Sequence, residues 1–159
     1  MSPVLPDDLH TPDQLSVCIQ ELRKLVSERR DAAARTRMNG DASALPAVPP
    51  LVASLLKANQ LTGSTLKEFE ELIKTLETLR LNTPVVHLTF ATLPGPKLIA
   101  KLVEWFRREI HPQALLSFVM DRTIGGGVIV RTSSRVYDFS FTSQLLRQKD
   151  RLTEIIRRV

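Results

Sequence analysis

Apolar residues fall into two regimes along this chain. From Leu15 to Leu79 they recur at helical intervals, and from Val85 onward they fall in short β-branched runs. Leu15, Cys18, Ile19, Leu22, Leu25 and Val26 follow one another at spacings of three or one, which draws a single stripe along a helix. Thr11, Pro12 and Gln14 supply an N-cap, a proline at the first helical position and the partner of a capping box. Ala32-Ala33-Ala34 lets the helix continue, and Asn39-Gly40 is a helix-ending pair. Beyond Val26 no apolar stripe remains, so this tail is expected to project into solvent or meet a partner.

Asn39 to Pro50 holds three prolines and a glycine and reads as a linker. Leu51, Val52, Leu55 and Leu56 mark a short helix, broken at Thr62-Gly63-Ser64. Thr65 and Glu68 then form a second capping box. Leu66, Phe69, Leu72, Ile73, Leu76 and Leu79 form the stripe of the helix that follows, with Glu70 and Lys74 placed as an i,i+4 pair on its outer face. The three stripes are expected to meet in a small helical unit that ends at Asn82-Thr83-Pro84.

The period changes at Val85. Val85 to Ala91 reads as a strand, and Leu93-Pro94-Gly95-Pro96 turns the chain into a helix. Leu98, Ile99, Leu102, Val103, Phe106 and Ile110 form the inner face of that helix, which His111-Pro112 ends. Leu115 to Met120 is a second strand. Strands at Val128–Thr132 and Val136–Phe141 follow a glycine turn, and a last helix starts near Thr142. Strand, crossover helix and strand imply a parallel pair; the two later strands imply an antiparallel meander. The fold class is α+β: an N-terminal helix within residues 1–38, a proline-rich linker at 39–50, a helical hairpin at 51–84 and a mixed-sheet domain of order β-α-β-β-β-α at 85–159.

Charge sharpens this division. The chain of 159 residues has a formal net charge of +5, but residues 1–50 sum to −1, residues 51–84 to zero and residues 85–159 to +6. The C-terminal region could therefore meet an anionic partner, although a solvated basic surface accounts for the excess as simply. No run of about 18 apolar residues suggests a membrane span. The acidic, proline-broken start lacks the pattern of a signal peptide, so a cytoplasmic location is expected. A single cysteine, Cys18, cannot form an internal disulfide and lies on an apolar stripe.

Candidate chemistry is sparse. Gly125-Gly126-Gly127 precedes a strand and has no lysine–serine pair behind it, whereas a phosphate loop opens onto a helix N-terminus. The three glycines read as a turn requiring positive φ and a close backbone approach. His10, His87 and His111 share no metal-ligand spacing. His111 fits a helix C-terminus, His87 a packed or edge position on a strand, and Asp138 a carboxylate bonding to turn backbone. No nucleophile motif is present, and the chain reads as non-enzymatic, with no catalytic residue, cofactor or metal. The alternating Tyr137, Phe139 and Phe141, near Arg131 and Arg135, could stack single-stranded bases. Aromatic residues make up only 5% of the chain, so these rings are expected instead to be the buried face of the sheet, under the last helix.

The segment from Asp121 to Leu145 carries an acid, a glycine pair, a β-branched run ending in arginine, a turn, and then valine, an apolar residue, aspartate, serine and a leucine-bearing helix. The positions are Asp121, Gly126, Gly127, Val128, Ile129, Val130, Arg131, Val136, Tyr137, Asp138, Ser140 and Leu145. This pattern resembles the C-terminal domain of the delta subunit of bacterial F-type ATP synthases, relatives of the mitochondrial oligomycin-sensitivity-conferring protein. Residues 85–159 carry the likeness. Phe139, Ser133 and Thr142 depart from the family's usual small residue, glycine and basic residue, and residues 1–84 hold about three helices where the family has a six-helix bundle.

The resemblance implies a non-catalytic stator. It would join the alpha subunits of the catalytic head to the b subunits of the peripheral stalk, so that proton-driven rotation is coupled to ATP synthesis. It implies peripheral association with the cytoplasmic face of a bacterial membrane through the complex, with no cofactor and no nucleic acid. Asp121, Gly126, Gly127, Arg131, Val136, Asp138, Ser140 and Leu145 would be structural motif positions. Leu146, Arg147, Arg151, Leu152, Ile155 and Ile156 on the last helix would meet the stalk, whose helices would pack into a groove. The competing expectation is a small nucleic-acid-binding module using the basic and aromatic strand face.

Overall fold

The computed structural model describes residues 3–39, 46–63 and 65–148. The chain divides into two compact units, residues 1–83 and 84–159. The fold is α+β: helices come first, and a four-stranded mixed sheet lies in the second unit. Half of the predicted linker, residues 40–45, lies outside the described residues.

The first unit contains helices α1 (Pro12–Asn39), α2 (Pro50–Ala58) and α3 (Leu66–Asn82). The capping box forms as expected. The Gln14 N–H donates to Thr11 Oγ1 at 3.1 Å, and Gln14 Oε1 accepts from the Thr11 N–H at 3.0 Å. At α3 the Thr65 hydroxyl accepts from the Glu68 N–H at 3.4 Å. The α1 stripe is buried along its length, as are Val52, Leu55 and Leu56 of α2 and Phe69, Leu72, Leu76 and Leu79 of α3. Each side chain of this size contributes about 1.5–3 kcal/mol when fully buried, so the three stripes together outweigh the marginal stability of short isolated helices. A strap ahead of α1 adds Leu5 and Leu9 to this core. Asn59 holds the strap, its side chain accepting from the Val4 N–H at 2.8 Å and donating to the Val4 carbonyl at 3.0 Å.

The α1 tail differs from expectation. Ala32 is buried, and polar side chains fasten the turns around it. The Arg29 guanidinium lies 4.7 Å from the Phe69 ring centroid and donates to the Gly63 carbonyl at 2.7 Å. Arg23 pairs with Glu77 and Arg30 with Glu70, so the two helices run antiparallel. Glu70, expected to pair with Lys74 along its own helix, is engaged by Arg30 of α1 instead. A stripe can thus end while the interface continues, because arginine stems cover apolar surface and carry their charge to its rim. These pairs are exposed and contribute little beyond setting register.

The second unit contains β1 (Val85–Phe90), α4 (Pro96–Glu109), β2 (Leu115–Met120), a 3₁₀ turn at Arg122–Ile124, β3 (Val128–Arg131), β4 (Val136–Asp138) and α5 (Phe141–Arg147). The strand order is β2-β1-β3-β4. β1 and β2 are parallel, as the crossover helix requires. β3 does not continue a meander from β2. It returns to pair antiparallel with β1, His87 opposite Arg131 and Phe90 opposite Val128, and β4 then pairs antiparallel with β3. β4 is also shorter than expected, ending at Asp138 because Ser140 already caps α5.

The core lies between α4 and one face of the sheet. Val86, Leu88 and Leu116 meet Val103 and Phe106, with Ala114 between. Leu98 and Ile110, expected on the inner face of α4, are 47% and 51% exposed and form its margins.

Candidate functional site

The register divides the β3–β4 hairpin between the two sheet faces. Val130 lies opposite Tyr137 and Leu88, on the face that α4 covers. Arg131 lies opposite His87 and Val136, on the other face. Side chains alternate along a strand, so Arg135, Tyr137 and Phe139 share the first face and Ile129, Arg131 and Asp138 the second. The grouping expected from sequence therefore separates: Arg135 accompanies the rings and Arg131 does not.

The aromatic residues also depart from expectation. Tyr137, Phe139 and Phe141 are 43%, 54% and 57% exposed rather than buried under the last helix. α4 packs on β1 and β2 and leaves Val128 and Val130 half-buried, so edge strand β4 lies beyond its cover. The Tyr137 and Phe139 rings lie parallel within 4°, with centroids 6.4 Å apart. The Arg135 guanidinium continues the row, 3.5 Å from the Tyr137 hydroxyl.

The glycine turn brings the motif positions together. Gly125, Gly126 and Gly127 all have positive φ. The 3₁₀ turn before them is capped by Asp121, whose carboxylate accepts from the Thr123 N–H at 2.9 Å and hydroxyl at 2.6 Å. The Phe141 N–H donates to the Gly126 carbonyl at 3.1 Å, and Thr142 Oγ1 donates to the Ile124 carbonyl at 2.9 Å. These bonds pin the start of α5 against the turn. Asp138 accepts from the Ser140 N–H at 2.9 Å, and the buried Ser140 hydroxyl accepts from the Ser143 N–H at 3.1 Å as the α5 cap.

Between α5 and the second sheet face lies an open cleft of about 470 Å³, bordered by Ile129, Asp138 and Ser140 on one side and Ser143, Leu146 and Arg147 on the other. Two residues predicted to bind a partner, Leu146 and Arg147, thus border the same cleft as motif residues Asp138 and Ser140. Leu145 and Leu146 are 60% and 67% exposed. Arg151, Leu152, Ile155 and Ile156 lie outside the described residues.

Electrostatics here are local. Asp121 is held below the ordinary carboxylate value of 3.8, first by the Thr123 hydroxyl and then by its N–H. Asp138 is lowered first by the Ser140 hydroxyl and then by the Ser140 N–H, with smaller help from Ser143 and Arg147. A depressed folded-state pKa gives stability that is present above the unfolded value and lost as pH falls through the folded one. Both carboxyls are therefore expected to protonate below 3.8 in a carbon-detected NMR titration, with Thr123→Val moving Asp121 back toward that value. Titration of both wild-type carboxyls at the ordinary value would remove their role as turn anchors.

Elsewhere the titratable groups are dispersed. Burial, and then the Glu21 carboxylate, pushes the Cys18 thiol up to about 11, so little thiolate forms near neutral pH. His111 accepts from the Gln113 N–H at 3.1 Å in the turn after α4, and His87 is an exposed residue of β1. Among the described residues, no three His, Cys, Asp or Glu side chains gather as a metal site would require. No helix among them is long and apolar enough to cross a membrane. No protein-family model matches this sequence, and no curated protein matches it.

Proposed function

We propose that this chain is a stator subunit of the delta type, joining an ATP synthase catalytic head to its peripheral stalk without catalysing a reaction. The observation that supports the reading most directly is the cleft beside α5, where Leu146 and Arg147 meet Asp138 and Ser140. An amphipathic stalk helix ending in acidic residues would lay its apolar side on Leu145 and Leu146 and its charge on Arg147. In this reading, residues 1–83 serve the head contact with three helices and a strap.

The test is a calorimetric titration of the full chain with the soluble segment of its cognate b subunit. The wild type is expected to bind, and Arg147→Glu with Leu146→Asp to weaken binding at least about tenfold, roughly 1.4 kcal/mol. Arg147→Glu alone should reduce the salt dependence of binding. Unchanged affinity in the double variant would reject this cleft as the stalk site. Failure of the intact chain to recover alpha or b subunits from cells would reject the stator reading itself.

A nucleic-acid module gains support from the exposed parallel rings of Tyr137 and Phe139. It loses support from Arg131, which lies on the opposite sheet face, away from the rings and Arg135. Binding of oligothymidylate that is lost on Tyr137→Ala, with the fold retained, would favour this second reading.

A further inference from the structure

The outer edge of β4 has no role in the proposed stalk contact. Phe139 donates to the Val128 carbonyl and Thr132 to the Arg135 carbonyl, which sets the phase of the β3–β4 ladder. In an antiparallel pair the bonded residues alternate, so Tyr137 bonds inward to β3 while Val136 and Asp138 turn their N–H and C=O groups outward. Among the described residues β4 ends the sheet, so no further strand meets these groups. Side chains suited to a partner flank the edge on both faces. Tyr137 and Phe139 lie on one and Val136, 57% exposed, on the other.

We propose that β4 accepts an extended segment of another protein as a fifth, antiparallel strand, with an acidic end beside Arg135 and an apolar end beside Phe139. Charge selects this occupant. Arg131 and Arg135 stand on opposite faces at the same end of the hairpin, so either face there attracts an acid. At the other end the Asp138 carboxylate offsets the charge of neighbouring Arg147, and the exposed Phe139 ring offers apolar surface. Main-chain bonds to Val136 and Asp138 supply the attachment, and the alternating side chains supply the selectivity. A second copy of this chain would approach against net repulsion, since each copy carries +5. Nucleic acid would use the rings but not the outward amides.

The test uses the full chain and a blocked synthetic peptide of alternating threonine and valine that ends in two glutamates, beside the same peptide ending in two lysines. Hydrogen exchange is followed residue by residue by NMR. With the glutamate peptide, the Val136 and Asp138 amides are expected to exchange at least about tenfold more slowly. The lysine peptide should protect them far less, and Arg135→Glu should remove the protection. Val136→Pro deletes an outward N–H while leaving the β3 ladder intact, so it should lose peptide binding and keep the fold. Unchanged exchange at both amides, or equal protection by the two peptides, would overturn the proposal. So would protection that rises with protein concentration alone, which would mark self-pairing. Oligothymidylate shifting the Tyr137 and Phe139 ring signals, with no peptide protection, would mark a base-stacking surface instead.

Discussion

Replacing Gly127 by alanine is expected to destabilise the sheet unit by about 3 kcal/mol or more, among the larger losses a single substitution causes. Gly127 has φ +79°, and a Cβ there would lie 2.3 Å from the Phe139 carbonyl oxygen and 3.1 Å from Ser140 Cα. Both neighbours are backbone, so no rotamer change relieves the clash, and the left-handed conformation alone costs about 1–2 kcal/mol for a residue with a side chain. Gly126 is the informative contrast. Its φ is +146°, and an added Cβ would lie 2.5 Å from Phe141 Cδ2. That ring is largely exposed and can swing away, so Gly126→Ala should cost less and Phe141→Ala should recover part of the loss. No such rescue is expected for Gly127→Ala. The single tryptophan, Trp105, belongs to this unit, so its fluorescence in a urea titration follows the right transition. A Gly127→Ala midpoint matching the wild type would mean that the close approach does not hold the hairpin.

In the helical unit the largest effect is expected at Phe69. Its ring is fully buried, and Arg29 lies over its face. Phe69→Ala should cost about 3–5 kcal/mol through lost transfer energy and the cavity left behind. The Arg29 guanidinium would lose its aromatic surface, worth about another 0.5–2 kcal/mol where it is partly desolvated. Phe69→Leu keeps most of the apolar volume and loses only the ring face, so it should fall well short of the alanine variant. Far-UV circular dichroism is the suitable probe, because helix dominates this unit. Alanine and leucine variants equal in stability would rule out a cavity at Phe69.

The helical half was legible because its signals are local. Thr11 and Gln14 lie three residues apart, as do Thr65 and Glu68, and the stripes from Leu15 to Val26 and from Phe69 to Leu79 complete themselves within one helix. The Arg29 contact was not legible, because it joins Phe69 and Gly63 from distant positions that no periodicity connects. In the sheet, alternation fixed which residues share a face but not whether anything covers it. Tyr137 and Phe139 alternate as buried residues do, yet they stand on an edge strand beyond the reach of α4. The positive φ values at Gly125–Gly127 were read correctly, since a glycine run ahead of a strand has few other uses. The cleft beside α5 could be glimpsed only through the residues that Leu146 and Arg147 accompany. Its shape depends on bonds from Phe141 and Thr142 to the glycine turn, which sequence spacing does not reveal.

The order β2-β1-β3-β4 also sets a timetable for synthesis. β1 is made before either of its neighbours, and the antiparallel one arrives last, because His87 must wait for Arg131. At about 5–20 residues per second, that interval lasts on the order of seconds. During it, Val86, Leu88 and Phe90 have only the α4–β2 segment to shelter them, and one side of β1 remains an open edge. A nascent chain held at the stage where β2 has left the ribosome and β3 has not would carry an apolar, half-paired strand, the kind of template on which neighbouring chains aggregate. The shorter the delay between the emergence of β2 and that of β3, the less time this edge is expected to stand open.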